Sequence, residues 1–101
     1  MRQALFTPRG RRELRAAAAW IAADSPAAAE NLLEAALAAA RLITAKPMLA
    51  RQQLSLAPAR YRFWSLRGYP YILVIDTEND PPAVARFVHA ARDLPTVLDE
   101  H

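Results

Sequence analysis

The hydrophobic positions of the N-terminal half repeat with the period of an α-helix. One apolar stripe, at spacings of i, i+3, i+4 and i+7, consists of Leu14, Ala17, Ala18 and Ile21. Such a stripe is typical of a helix that packs one side against a core. Thr7 and Pro8 come before the stripe and supply an N-cap hydroxyl and a proline at the first helical position. The pattern therefore predicts a helix from Pro8 to about Ala23.

A second helical pattern begins after a short break. Asp24-Ser25-Pro26 is another helix-start signal. Lys46-Pro47 ends the pattern, because proline disfavours helical backbone in the residue before it. The apolar positions between these two signals are Ala29, Leu32, Leu33, Ala36, Leu37, Ala40 and Ile43. Since the break is only a few residues long, we expect the two helices to form an antiparallel hairpin, and the many alanines would allow a close approach.

The period changes to that of β-strands in the C-terminal half. Residues 61–66 alternate between two sets of side chains, and Arg67-Gly68 is a plausible hairpin turn. Residues 71–75 are apolar at every position, as expected for a central strand covered on both faces. A last strand is predicted from Ala83 to His89. Its alternation places Ala85, Phe87 and His89 on one face and Val84, Arg86 and Val88 on the other.

Two further segments complete the predicted topology. Residues 3–6 form a short apolar piece that we interpret as an N-terminal strand. Residues 48–59 show no sustained period and lie between prolines, so they are interpreted as a connecting loop that can include a short helical turn. The predicted fold is α+β with the order β-α-α-β-β-β: an N-terminal strand, an antiparallel helical hairpin and a three-stranded antiparallel meander.

Composition fits one small domain that spans residues 1–101. Of these 101 residues, 53% are hydrophobic and 23% are charged, which is a globular balance. The chain has no cysteine, which excludes disulfides, thiolate catalysis and cysteine metal sites. Neither a secretory signal nor a membrane span is predicted, because the first residues lack an apolar run and acidic residues interrupt the alanine-rich stretch. We therefore expect a cytoplasmic protein.

The charge is basic and unevenly distributed. The formal net charge is +3, the isoelectric point is near 10.0, and Lys46 is the only lysine. Five arginines crowd the first fifteen residues against Glu13 alone: Arg2, Arg9, Arg11, Arg12 and Arg15. Two interpretations remain open, a solvated helix face and a surface for a polyanion or an acidic partner.

Taken together, these features resemble the RelE/ParE superfamily of type II toxin–antitoxin toxins, and the ParE branch most closely. The residues that carry the resemblance are Thr7-Pro8, WIAADSPAAAENLLEAAL from Trp20 to Leu37, Pro47, ARYRFW from Ala59, YPYILVID from Tyr69 and FVHAARDLPTVL from Phe87 to Leu98. The order and spacing of these pieces are more specific than any one of them. The resemblance covers nearly the whole chain.

The sequence departs from the family pattern in two places. Ala50-Arg51 stands where relatives often carry a glycine–arginine pair, so the loop can follow a different path. The arginines between Arg9 and Arg15 stand where relatives often carry acidic residues. This second departure puts in doubt any transfer of partner contacts along the first helix.

The resemblance implies a toxin that is neutralised by a cognate antitoxin, a ParD-like DNA-binding protein, in a hetero-oligomeric complex. ParE-like members inhibit DNA gyrase by binding it, whereas RelE-like members cut mRNA on the ribosome. An RNase of the RelE type needs cations and a general acid or base that converge on one phosphate. The residues that could supply them are Arg60, Arg62, Arg86, His89 and Arg92, with Tyr61 or Tyr71 as proton donors. Active RelE-like nucleases are marked by lysine and arginine clusters and by a tyrosine or a His-Tyr pair near the C-terminus. Because this sequence does not match these features, gyrase is the predicted target. An RNase and a non-toxic relative that only binds an antitoxin remain the alternatives.

The predicted site contains no catalytic residue, metal or cofactor, and it includes no sequence-specific contact with nucleic acid. Contact with the antitoxin or the target is predicted for Arg60, Arg62, Trp64, Arg92, Leu94 and Leu98. His89, Arg92 and Asp93 are interpreted as a structural lock between the last strand and the C-terminal tail, with catalysis by His89 as the alternative. A metal site at His89 is not expected, because the second histidine of the chain is its last residue, His101.

Overall fold

The computed structural model describes residues 5–92 as two helices followed by a four-stranded antiparallel sheet. The elements are α1 (Pro8–Ala22), α2 (Pro26–Ala45), a 3₁₀ turn (Pro47–Leu49), β1 (Arg51–Gln52), β2 (Tyr61–Ser65), β3 (Tyr71–Asp76) and β4 (Ala83–His89). The strands lie side by side in chain order, so β2, β3 and β4 form the predicted meander. The α+β class and the helical hairpin predicted from the sequence are confirmed.

Both helices begin at the caps that the sequence predicted. The Thr7 side chain accepts a hydrogen bond of 3.1 Å from the backbone N–H of Gly10, and the Ser25 side chain accepts one of 3.1 Å from that of Ala28. In each helix a proline follows the cap residue. Residues 23–25 make the short connection between the helices, which pack against each other.

The main core lies between the helices and one face of the sheet. Its fully buried side chains include Leu32 and Ile43 of α2 and Leu73 and Ile75 of β3. The other face of the sheet carries a smaller cluster formed by Ala57, Phe63 and Val74. Burial on both faces explains why β3 is apolar at nearly every position. Within residues 5–92, neither helix combines the length and the hydropathy needed to cross a bilayer.

The N-terminal segment and α1 cover the outer edge of β4. Phe6 forms an isolated parallel bridge with Val84, whose N–H donates to the Leu5 carbonyl at 2.8 Å and whose carbonyl accepts from the Thr7 N–H at 2.9 Å. The rest of the predicted N-terminal strand lies outside the described residues. Gly10 sits so close to β4 that a Cβ atom there would clash with the Val84 carbonyl oxygen. A glycine at this position therefore allows α1 to approach the strand.

Two sequence predictions need correction. The loop predicted over residues 48–59 contains β1, in which Arg51 pairs with Phe63. This strand has only two residues, so it is too short to produce a periodic signal in the sequence. In β4 the register shifts opposite Val74 and Ile75, so Ala85 is passed over and Val84 pairs with Ile75. Val84 consequently joins Phe87 in the main core, and its predicted placement beside Arg86 and Val88 was wrong. A β-bulge inserts one residue and thereby inverts the alternation before it.

Candidate partner-binding site

A groove lies between α1 and the end of the sheet where β3 begins and β4 ends. Tyr71 and Phe87 line its sheet side, and their rings stack with centroids 4.9 Å apart. Glu13, Ala16, Ala17 and Trp20 of α1 line its other side, and Arg92 completes the lining. Its volume is about 330 Å³. We call it the helix-side groove.

Trp20 is the most exposed aromatic side chain near this groove. It is 74% exposed, although indole is among the largest apolar groups in proteins. Exposed aromatic residues beside a groove are typical anchors of protein–protein contacts. The sequence contained a signal for this position, because Trp20 falls outside the apolar stripe of α1 that contacts the core.

Glu13 fixes α1 to the edge of β4. Its carboxylate accepts hydrogen bonds of 3.1 and 3.0 Å from Nε of Arg86, lies 2.9 Å from Nη2 of Arg86, and accepts one of 2.9 Å from the backbone N–H of Phe87. A carboxylate with three N–H donors is strongly held. The sequence analysis missed this role, although Glu13 is the only acidic residue among the arginines of α1.

His89 and Arg92 lie together at the end of β4. Nδ1 of His89 accepts a hydrogen bond of 3.2 Å from the backbone N–H of Arg92, and its ring meets Tyr71 edge-on with centroids 5.5 Å apart. The imidazole is half-buried. These contacts agree with a structural role for His89. The predicted partners further along the tail, Asp93, Leu94 and Leu98, lie outside the described residues, so the complete lock and the tail contacts stay predictions.

A comparison with protein families identifies the family of the chain. A family model described as the ParE toxin of type II toxin–antitoxin systems, parDE, matches residues 4–94. The match spans both helices and all four strands. The chain belongs to the ParE toxin family. It is the toxin component of a type II toxin–antitoxin system, and this family implies a cognate antitoxin as its partner. No match was found among curated proteins or among solved structures.

In this ParE toxin the predicted partner residues Arg60 and Arg62 lie away from the helix-side groove. Arg60 donates from Nε and Nη2 to the two Asp76 oxygens at 3.0 and 2.8 Å, and this hydrogen bonding raises the pKa of Arg60 above its ordinary value. Arg62 donates from Nη1 to the Ala50 carbonyl at 2.9 Å. Asp76 ends β3, whereas the groove lies beside Tyr71 at its start, about 17 Å away at the usual rise per strand residue.

Trp64 lies at a second groove of the toxin, near the sheet edge formed by β1. It is half-buried against the main core. The groove has a volume of about 380 Å³, and its lining includes Leu49, Arg51, Leu56, Phe63, Trp64 and Ile72. Within residues 5–92 the predicted partner residues therefore fall into two groups, with Arg92 in the helix-side groove and Arg60, Arg62 and Trp64 elsewhere. Their roles as partner contacts stay predictions.

Most of the groups that an RNase would need are dispersed over the toxin, and within residues 5–92 only His89, Arg92 and Tyr71 lie together. Arg60 is bound to Asp76 at one end of β3, and His89 is paired with Tyr71 at the other end. Arg86 is bound to Glu13 at the outer edge of the sheet. Among residues 5–92, no three histidine or acidic side chains are grouped so that they could hold a metal ion.

Proposed function

We propose that this toxin inhibits DNA gyrase by binding it and performs no catalysis of its own. The observation that carries this proposal is that Arg60, Arg62 and Arg86 are each engaged within the fold and do not converge, so that within residues 5–92 only Arg92 is left beside His89 and Tyr71. Gyrase is the target that the ParE resemblance implies. Since gyrase acts on the chromosome, the toxin is expected in the cytoplasm.

The RNase alternative is disfavoured by the internal contacts of its candidate residues. The guanidinium of Arg60 is engaged by Asp76, that of Arg86 by Glu13 and that of Arg62 by a backbone carbonyl. A phosphate would have to compete with carboxylates for two of these arginines. Preorganised electrostatic stabilisation requires groups that already point at the reacting atoms.

The antitoxin is proposed to neutralise the toxin by placing an apolar side of an acidic, partly helical segment in the helix-side groove. The groove offers stacked rings on its floor and the exposed indole of Trp20 at its side. An amphipathic helix that lies in an apolar groove is a common mode of peptide recognition. The segment would order as it binds, as acidic antitoxin tails with few core residues are expected to do.

Two parallel assays test the function. Purified toxin is incubated with gyrase, ATP and supercoiled plasmid, and trapped cleavage complexes are scored as linear DNA after denaturation. The same preparation is added to an in vitro translation reaction, and mRNA is examined for cuts. Trapping without cuts, reversed by the antitoxin, is expected. Cuts without trapping would establish the RNase alternative, and neither effect in a protein that binds its antitoxin would establish a non-toxic relative.

A further inference from the structure

The outward side of α1 carries three exposed arginines, Arg11, Arg12 and Arg15. At about 100° of rotation per residue, their side chains leave the helix within a sector of about 100°. They span about 6 Å along the axis, at about 1.5 Å per residue. We call this surface the arginine face.

No acidic group of α1 balances the arginine face. Glu13 is the only carboxylate in the helix, and it is directed to β4, where Arg86 and the Phe87 N–H hold it. In the part of the chain that the structure describes, neither a hydrogen bond nor an ion pair engages the guanidinium of Arg11, Arg12 or Arg15. The three cations are therefore available to an external anion.

The neighbours of the arginine face indicate which anion it suits. Beyond Arg15 this side of α1 continues with the exposed Ala19 and offers no large apolar side chain as an anchor. An amphipathic peptide would find its anchor in the helix-side groove instead. The arginine face also contains no aromatic side chain on which an unpaired base could stack. The ligand that suits the arginine face is therefore a polymer with regularly spaced anions, and its binding needs neither an apolar anchor nor base stacking.

We propose that the arginine face binds the phosphate backbone of duplex DNA without sequence specificity. Arginine suits this role because its planar fork matches phosphate oxygens and stays charged. This inference goes beyond the proposed function, because it assigns a DNA contact to the toxin itself. It does not depend on gyrase as the target, since the contact forms with DNA alone.

The expected salt dependence is set by the number of phosphates that are neutralised. Three contacts on duplex DNA give a slope of about −2.7 for the logarithm of affinity against that of salt concentration. Affinity would then fall about 40-fold between 50 and 200 mM salt. A contact that neutralises fewer phosphates would show a weaker dependence of affinity on salt concentration.

The test compares two variants with the same loss of charge. In one, Arg11, Arg12 and Arg15 are replaced by glutamine. In the control, glutamine replaces three exposed cations outside α1: Lys46, Arg51 and Arg67. Binding of each full-length chain to a fluorescent 30-base-pair duplex of arbitrary sequence is measured by anisotropy from 50 to 200 mM salt, and circular dichroism checks that both variants are folded.

The proposal expects the first variant to lose most of the slope and at least about 10-fold in affinity at 50 mM salt, while the control changes less than about threefold. Equal losses in both variants would overturn it, because they would reflect net charge alone. Unchanged DNA binding with weakened antitoxin binding would overturn it in favour of an acidic protein partner. Gyrase is absent from this measurement, so its result is independent of whether gyrase is poisoned.

Discussion

Glu13 in the first helix and Arg86 in the last strand, 73 residues apart, form an ion pair at the edge of the sheet. Both Nε and Nη2 of Arg86 contact the Glu13 carboxylate. The two side chains are only 25% and 13% exposed. Glu13 also accepts from the Phe87 N–H, so one carboxylate attaches α1 to both side chain and backbone of β4. The same attachment holds the two sides of the helix-side groove together.

Replacing Glu13 with alanine should therefore destabilise the fold by about 2–3 kcal/mol, because it removes the carboxylate that accepts from a largely buried guanidinium and from a backbone N–H. Urea denaturation measures this loss. Glu13→Gln should cost about 1 kcal/mol, since the amide oxygen can still accept from Phe87. Glu34→Ala, on the exposed side of α2, is the control and should change stability by less than about 0.5 kcal/mol. Equal effects of Glu13→Ala and Glu34→Ala would contradict a structural role for the pair.

Trp20→Ala should separate binding from stability. Because the indole is 74% exposed, its removal should change the free energy of unfolding by less than about 0.5 kcal/mol. If the antitoxin occupies the helix-side groove, affinity for it should fall about 30-fold or more, as for an aromatic hot spot. Isothermal titration with the cognate antitoxin measures the change.

Met48→Ala provides the matched control for Trp20, since Met48 is 85% exposed and lies on the 3₁₀ turn, outside that groove. It should leave antitoxin affinity within about twofold of the original. Equal losses for the two variants would mean that general surface hydrophobicity, and not the groove, determines binding.

Much of the fold could be predicted because its signals are local. Threonine and serine caps followed by proline determined where both helices begin, and residues 71–75 read as a central strand from their composition alone. The bulge at Ala85 could not be predicted, because the alternation of β4 reads equally well without it. The ion pair of Glu13 was equally hidden, since it joins residues 73 positions apart.

The candidate site could be predicted only where a residue type or a local cluster stood out in the sequence. Trp20 stood outside an apolar stripe, and the arginines of α1 stood in a cluster, so both could be noticed in the sequence. The engagement of Arg60 by Asp76 and of Arg62 by the Ala50 carbonyl depends on strand register and loop path. An arginine that reads as a partner contact can therefore also be holding the sheet together.

His89→Ala should lower stability more than it lowers toxicity per folded molecule. The substitution removes the acceptor for the Arg92 N–H and the edge-on contact with Tyr71, a loss of about 1–2 kcal/mol. His89→Asn retains an acceptor near the same position and should recover part of that loss. Thermal melting and gyrase trapping, normalised to folded protein, measure the two effects. Loss of toxicity at an unchanged melting temperature and antitoxin affinity would reassign His89 to the site.

Arg60→Gln and Asp76→Asn together test whether Arg60 contacts a partner. Each variant breaks the same ion pair between the residue before β2 and the end of β3, so the two should lower stability by similar, small amounts. Only Arg60→Gln removes the guanidinium itself. If Arg60 binds the antitoxin or gyrase, affinity should fall about 10-fold in that variant and stay within about twofold in Asp76→Asn. Equal losses of affinity would show that Arg60 acts only by holding the strands.

The central claim is that this ParE toxin acts on gyrase by binding, and the most direct measurement is a titration of purified toxin against gyrase on supercoiled plasmid. The account predicts that linear DNA, released by denaturant and protease, rises with toxin concentration, saturates at a fixed ratio of toxin to gyrase, and disappears when the antitoxin is added first. Plasmid that stays uncleaved at saturating toxin, together with toxin-dependent cuts in translated mRNA, would contradict it.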